Sequence, residues 1–490
     1  MNQDHRPTLP LGVPTLATLS VALVTATTWY AIPALTFSGV TGRFGEAEVL
    51  VGLGCAMTGL GVLFRLRRSM LVGAIAVRAW VASNFSGDGF ARWLGIGLLL
   101  RLAWGLFFTP EPTSDAAVYL ALAAQLQHGG SYEIAGTLAY WPPGYPLLLS
   151  LWLRLPLPTL HAVLLLNLLS FVGMLLAVRL IGRRYLGPVG TGLAMGLLAV
   201  WPSLVMQAGS ASKELILLAL LTGAFACLPT RPDSRSLWRW SPAAGLLFGA
   251  SCLVQPSVLL LPLVIPVYGW LARFPFRRIV VMALLFLLGA VVAVVPWTLR
   301  NLHVLGEPVL ISTNGGYNFY RANNPLADGG FTKGGEVDLT RYDELTADHQ
   351  GYKLGVKWIR ENPVSFAALA HIKQVRFLGD DSTGAYVALR EDPRVPGWLY
   401  YVVKSASTLF WALLWALPAV WLFPRGARRD VWNAGILTAW LVFFYFFAIH
   451  SVSESNAKYH LITAPFLAIV FAGFMMGLRP LPLAAGAPER

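Results

Sequence analysis

The sequence predicts an all-α polytopic membrane protein with about 12 transmembrane helices and two large external loops. Three observations predict it. Hydrophobic residues make up 56% of the 490 and charged residues only 12%, with 18 Trp and 26 Phe, a balance that a water-soluble globular chain does not carry. Apolar runs recur at about the 20-residue length that a helix needs to cross a bilayer. Between them the basic clusters fall on alternate connections, as the positive-inside rule asks.

Taken in order, the opening MNQDHRPTLPLG leads into a long apolar run without a small-residue cleavage pattern, which reads as an uncleaved first span. Spans are expected near 12 to 35, 47 to 64, 90 to 108, 161 to 181, 188 to 208 and 212 to 229. Six more are expected near 241 to 255, 257 to 271, 279 to 297, 398 to 422, 431 to 450 and 461 to 478; only Gln255 and Pro256 split the first two of these. The run 69 to 82 contains Arg78 and is short, so it reads as interfacial. With the N-terminus inside, Arg65/Arg67/Arg68, Arg183/Arg184, Arg231/Arg235/Arg239, Arg273/Arg277/Arg278 and Arg425/Arg428/Arg429 share the cytoplasmic side. The net charge of +13 is therefore a matter of topology, with no nucleic acid implied, and both termini are expected in the cytoplasm. Cys55, Cys227 and Cys252 lie in apolar runs without paired spacing, so neither a disulfide framework nor a zinc site is expected.

Two long connections then face outward, 109 to 160 and 298 to 397. In the first, Thr113 and Ser114 are placed to cap a helix from Asp115 to about Gln127, which stops at Gly129 and Gly130. Asp115 then sits in a helix's first turn, where the dipole favours a carboxylate and suits either a cap or a general base. The loop closes on Trp141-Pro142-Pro143-Gly144-Tyr145-Pro146, a stiff turn that sets the entry angle of the next helix. The second connection carries turns at Asn314-Gly315-Gly316, Asp328-Gly329-Gly330 and Gly334-Gly335. Amphipathic stretches near 342 to 361 and 363 to 378 follow, the latter opening at Asn362-Pro363. It has too few core residues to stand alone and is expected to lean on the membrane domain.

Arg101 is the one clear ionisable group inside a span, so an ion or proton relay has little support. The external span ends, by contrast, gather Asp115, Glu133, Lys213 with Glu214, Arg300 with Asn301, Asn314 to Asn324, and Glu454 through His460. One carboxylate with several cations and aromatics suits group transfer from a lipid phosphate. Glycoside hydrolysis needs two carboxylates because a poor alkoxide leaving group must be protonated, whereas a sugar linked through phosphate leaves as an anion. Such a transfer needs a base for the acceptor hydroxyl and cations for the phosphate. Tyr119, Tyr140, Trp141, Tyr145 and Tyr317 are the aromatics available for stacking on carbohydrate. His371 and His460 lack metal-ligand spacing, so a divalent metal stays open without ligand spacing to support it and no other cofactor is expected, and Gly-Gly-Tyr-Asn lacks the surroundings of a nucleotide cradle.

An apolar span ending in an acidic residue with Tyr four positions on, then a Gly-Gly/Tyr stretch and PPGYP, resembles the first external loop of GT-C glycosyltransferases. Specifically it is similar to the bacterial branch related to protein O-mannosyltransferases and the lipid A aminoarabinose transferase. Ser212-Lys213-Glu214, Pro296-Trp297-Thr298-Leu299-Arg300-Asn301 running into STNGGYNFYRANNP, and Ala457-Lys458-Tyr459-His460 before Pro465 agree with it. The resemblance covers about residues 90 to 478 and implies a GT-C fold, a polyprenyl-monophosphate-sugar donor, and a lipid, glycan or protein acceptor on the outer face of the plasma membrane. It places Asp115 at the family's catalytic aspartate. Tyr119, Glu133, Tyr140, Trp141, Tyr145, Lys213, Arg300, Asn301, Tyr317, Arg321, Lys458 and His460 become candidate substrate contacts. The pattern departs at Ala116, where relatives often carry a second acid, at Trp141, where the aminoarabinose transferase has Lys, and at Lys458, which replaces a common Arg. The expected organisation is an N-terminal addition (1 to 89), a transmembrane core (90 to 297), an external loop or lid (298 to 397), and C-terminal spans with a tail (398 to 490). A flippase of lipid-linked sugars and a diphosphate-carrier ligase or polymerase are the alternatives.

Overall fold

In a computed structural model the chain is described over residues 9–10, 12–41, 44–84, 87–331, 335–390, 392, 394–422 and 431–478. The expected start of the chain, Gly334 and the Arg425/Arg428/Arg429 cluster lie outside these residues. Helices run in the order α1 (Val13–Thr41), α2 (Glu46–Asn84), α3 (Phe90–Phe107), α4 (Ser114–Gln127), α5 (Gly144–Trp152), α6 (Thr159–Tyr185), α7 (Gly187–Val200), α8 (Pro202–Met206), α9 (Glu214–Ala226) and α10 (Ser234–Val254). They continue as α11 (Val264–Leu271), α12 (Phe276–Leu305), α13 (Asn314–Ala322), α14 (Glu344–Glu361), α15 (Pro363–Leu378), α16 (Thr383–Ala385), α17 (Gly397–Leu422), α18 (Ala434–Val452), α19 (Ala457–Leu461) and α20 (Ala464–Gly477).

Among the described residues seven helices are long and apolar enough to cross a membrane, or eight if α7 and the bent segment after it count as one span. The expected twelve is not met on that criterion, because α9, residues 256–271 and α20 are apolar but shorter than 18 residues, and α10, though 21 residues long, is not among the seven. The 69 to 82 run, read above as a separate interfacial segment, continues α2 without a break. Arginines such as Arg65, Arg67 and Arg68 are good helix formers and do not interrupt it. At 39 residues α2 is about 58 Å long, more than the hydrocarbon core needs.

Elsewhere the sequence sets how closely helices approach. α10 crosses α12 at small residues: a Cβ added at Gly245 would fall 1.8 Å from the Phe286 carbonyl oxygen. α7 ends at Trp201 and the chain bends by 54° into α8. Pro202 has no N–H, so the Leu198 carbonyl four residues earlier loses its helical donor. Arg101, fully buried on α3, donates to Leu198 O at 2.9 Å and Ala199 O at 3.0 Å, with its guanidinium 3.7 Å from the Phe171 ring centroid. Arg101, the charge that the sequence placed inside a span, thus closes a broken one.

The long connection after α12 leans on the membrane domain, as expected from its composition. α15 packs against α1 and α18, with Tyr30 of α1 sharing a hydrogen bond with His371 Nε2 at 3.1 Å. Its own small core is Tyr320, Leu339 and Ala347.

Candidate active site

α4 opens from an extended Thr113, and Ser114 adopts a left-handed backbone with φ of 49°. Asp115 follows inside the first turn. No side chain caps this helix, so the capping role left open for Asp115 is not the one it fills. Its carboxylate meets Lys458 Nζ at 3.5 Å, its one side-chain partner among the described residues.

Lys458 lies on α19, where Asn456 caps the helix by accepting the Lys458 backbone N–H at 2.9 Å. The ammonium stands between Asp115 and Glu214 Oε1, the latter at 3.2 Å. Burial works to lower Lys458, and the carboxylates of Glu214 and Asp115 overcome it, holding the ammonium well above the ordinary lysine range. Glu214 begins α9 and is nearly buried. Beside it Lys213 places its Nζ 5.5 Å from the Tyr119 ring centroid, within electrostatic range of Asp115, Glu454 and Lys458.

An aromatic wall stands over these charges. Tyr119 meets Trp141 and Tyr145 edge-on, at 5.8 and 5.4 Å between centroids, and Tyr140 bridges Trp141 to Tyr317. The hydroxyls of Tyr119 and Tyr145 are buried without a hydrogen-bond partner among the described residues. Burial, followed by the neighbouring Tyr317, pushes the Tyr140 phenol up to about 12. Arg321 Nη2 pairs with Glu454 at 2.7 Å and its guanidinium lies 3.7 Å from the Phe331 ring centroid. Tyr459 donates to the other oxygen of Glu454 at 2.6 Å. The stiff turn that carries Trp141 is fixed from below: a Cβ on Gly144 would fall 2.7 Å from the Leu253 carbonyl carbon at the end of α10.

Asp115, Tyr119, Tyr140, Trp141, Tyr145, Lys213, Tyr317, Arg321 and Lys458 therefore converge. Three candidates are used otherwise, and a fourth is not drawn in. Arg300 donates to Leu138 O at 2.5 Å and Tyr132 O at 2.9 Å, stapling the first loop, while Asn301 Nδ2 holds Val309 O and Ile311 O. His460 is buried, with its ring nitrogens on Phe377 O at 2.7 Å and Asp381 Oδ1 at 3.3 Å, and it stacks on Trp411. Glu133 is exposed and has no side-chain partner among the described residues.

Three residues were not among the candidate substrate contacts, although Glu454 was one of the polar residues gathered at the span ends. Glu344 accepts from Leu138 N, Ala139 N and Thr313 Oγ1, tying the two loops together. Glu454 balances Arg321, and the fully buried Lys373 donates to Asn323 Oδ1 and Val452 O, both at 2.9 Å. The clustering of polar residues before Tyr459 is the sequence signal that pointed to Glu454. Burial pushes Lys373 down to about 7.

No family model and no curated protein matches this chain. Among solved structures it is similar to the apo Archaeoglobus fulgidus oligosaccharyltransferase, with a TM-score of 0.47 and 12% identity over 78% of this chain and 50% of that one. It is also similar to ArnT from Cupriavidus metallidurans bound to undecaprenyl phosphate, with a TM-score of 0.38 and 17% identity over 80% of this chain and 78% of that one. The chain thus spans half the length of the archaeal enzyme it matches.

Proposed function

We propose that the chain is an inverting glycosyltransferase that moves a sugar from a polyprenyl-monophosphate carrier to an acceptor hydroxyl at the outer face of the plasma membrane. The observation that carries this reading is the Asp115–Lys458–Glu214 bridge beside Lys213 and under the Tyr119–Trp141–Tyr140 wall. The GT-C resemblance of the same segments supports it. Asp115 takes the proton of the acceptor hydroxyl as the acceptor oxygen bonds to the anomeric carbon from the face opposite the phosphate. The bond from that carbon to the phosphate oxygen breaks, and the electron pair leaves on the carrier phosphate. Lys213 and Lys458 hold the growing negative charge. The aromatic rings offer faces for the sugar.

The carrier's tail needs an apolar path next to those cations. A groove of about 650 Å³ lined by Leu126, Leu147, Leu148, Leu151, Ile216 and Leu220 begins beside Gly144, the neighbour of Tyr145. Ile216 is two residues past Glu214, so a phosphate at Lys213 and a prenyl chain in this groove are compatible with one bound molecule.

Purified protein in nanodiscs, given polyprenyl-monophosphate donors with radiolabelled sugars and a cell-envelope extract as acceptor, is expected to release free polyprenyl phosphate as label enters the acceptor. Turnover of diphosphate donors alone would assign the ligase reading, and passage of intact donor across sealed vesicles without cleavage would assign a flippase.

A further inference from the structure

A second cluster of charge lies at the far end of α3, about 27 Å from the Asp115 end by the rise of its 18 residues. There a cavity of about 350 Å³ is lined by residues 87–91 with Arg92, Arg179 and Arg183. Asp88 is 4% exposed, and its Oδ1 accepts the Phe90 N–H at 3.2 Å at the start of α3. Its Oδ2 accepts from Arg179 Nε at 2.7 Å and Arg183 Nε at 2.5 Å. Arg179 also lies 4.5 Å from the Phe90 ring centroid.

Both guanidinium groups are thus oriented through their Nε edges, and their terminal nitrogens make no hydrogen bond among the described residues. Other arginines at this end are used differently. Arg184 donates to Ala226 O and Arg78 to Leu478 O, closing helix ends. Around the cavity one buried carboxylate pairs with two arginines while the third, the exposed Arg92, donates to Asn84 O, which leaves an excess of positive charge that a phosphate would balance. Oriented terminal nitrogens suit a phosphate because two parallel N–H groups can meet two of its oxygens. The cavity lies at the end of an apolar helix long enough to cross a membrane, the level at which headgroups lie.

We infer that the cavity between the start of α3 and the end of α6 binds the phosphate of an anionic phospholipid headgroup, on the face opposite the Asp115 site. The inference does not depend on the reaction at Asp115.

The full chain is reconstituted in nanodiscs of phosphatidylcholine alone or with an equal share of phosphatidylglycerol, and the retained lipids are counted by native mass spectrometry. Wild type is expected to keep a phosphatidylglycerol that Arg183→Gln binds roughly tenfold more weakly. Arg179 still pairs with Asp88 in that variant, so the fold is retained, and a matched thermal transition checks this. Arg179→Gln/Arg183→Gln should lose the lipid altogether. Equal phosphatidylglycerol counts in wild type and a folded Arg183→Gln variant overturn the proposal. Thermal protection by inorganic phosphate with no lipid retained would reassign the cavity to free phosphate and overturn the lipid assignment.

Discussion

Asp115→Asn separates a base from a structural acid, because the structure limits what the carboxylate contributes to stability. The Asp115–Lys458 pair is 3.5 Å long, with Asp115 44% and Lys458 29% exposed, and such partly solvated pairs are worth about 0 to 1 kcal/mol. Loss of the charge from the first turn of α4 adds about 0.3 to 1 kcal/mol. Asn keeps the size of the side chain, and no capping bond is lost because none is made. The destabilisation should therefore stay below about 2 kcal/mol. Removal of a general base lowers turnover by about 100- to 10,000-fold, a barrier increase of roughly 3 to 5 kcal/mol. The assay uses matched amounts of wild type and variant in nanodiscs with a radiolabelled polyprenyl-phosphate sugar, alongside thermal melts and donor binding. Normal folding and donor binding with turnover down at least a hundredfold are expected. A variant that transfers sugar at more than about a tenth of the wild-type rate refutes the assignment, and Glu133 is then the next carboxylate to test.

Lys458→Ala leaves the nearly buried Glu214 without its closest cation, so a stability loss of about 3 kcal/mol should accompany a ten- to hundredfold rise in the donor KM. An unchanged donor KM would make Lys458 a structural partner of Glu214 alone. Arg300→Ala should free the Tyr132 and Leu138 carbonyls, cost about 1.5 to 3 kcal/mol and speed limited proteolysis within 128–140. A raised donor KM with unchanged proteolysis would place Arg300 on the phosphate instead. Because burial holds Lys373 near pKa 7, the unfolded chain binds the extra proton between pH 7 and about 10, so stability should rise with pH across that window. Lys373→Met should flatten that rise in thermal midpoints, and an equal slope in both proteins would sink the idea. In a background lacking the three native cysteines, thiols placed at Ser131 and Leu326, both exposed, should react with an impermeant maleimide on intact spheroplasts, and one at Arg277 only after lysis. The reverse pattern would move the Asp115 site to the cytoplasm.

What was legible in the sequence was what depends on neighbours along the chain. α4 runs from Ser114 to Gln127 where the sequence placed a helix from Asp115 to about Gln127, because an apolar stripe and a Gly-Gly stop are local signals. The span expected from 188 to 208 ran straight across Pro202, where the chain bends by 54°, and although Arg101 stood out in the sequence nothing there joined the two, since an orphaned carbonyl and the side chain that satisfies it lie 97 residues apart. The same limit explains the candidate site. Lys458 and Asp115 stand 343 residues apart, and nothing in either stretch states that the ammonium would be shared with Glu214. Polar residues at span ends have two possible uses, to meet a substrate or to satisfy backbone left over where helices stop. Arg300, Asn301 and His460 carry the same composition signal as Lys213 and Lys458, yet each is hydrogen-bonded to backbone carbonyls. What distinguishes the two sets is where loops and helix ends leave acceptors unpaired, and that is decided by how the elements pack. Lys458 differs because Asn456 caps its short helix, so its side chain is not needed for backbone and meets two carboxylates instead.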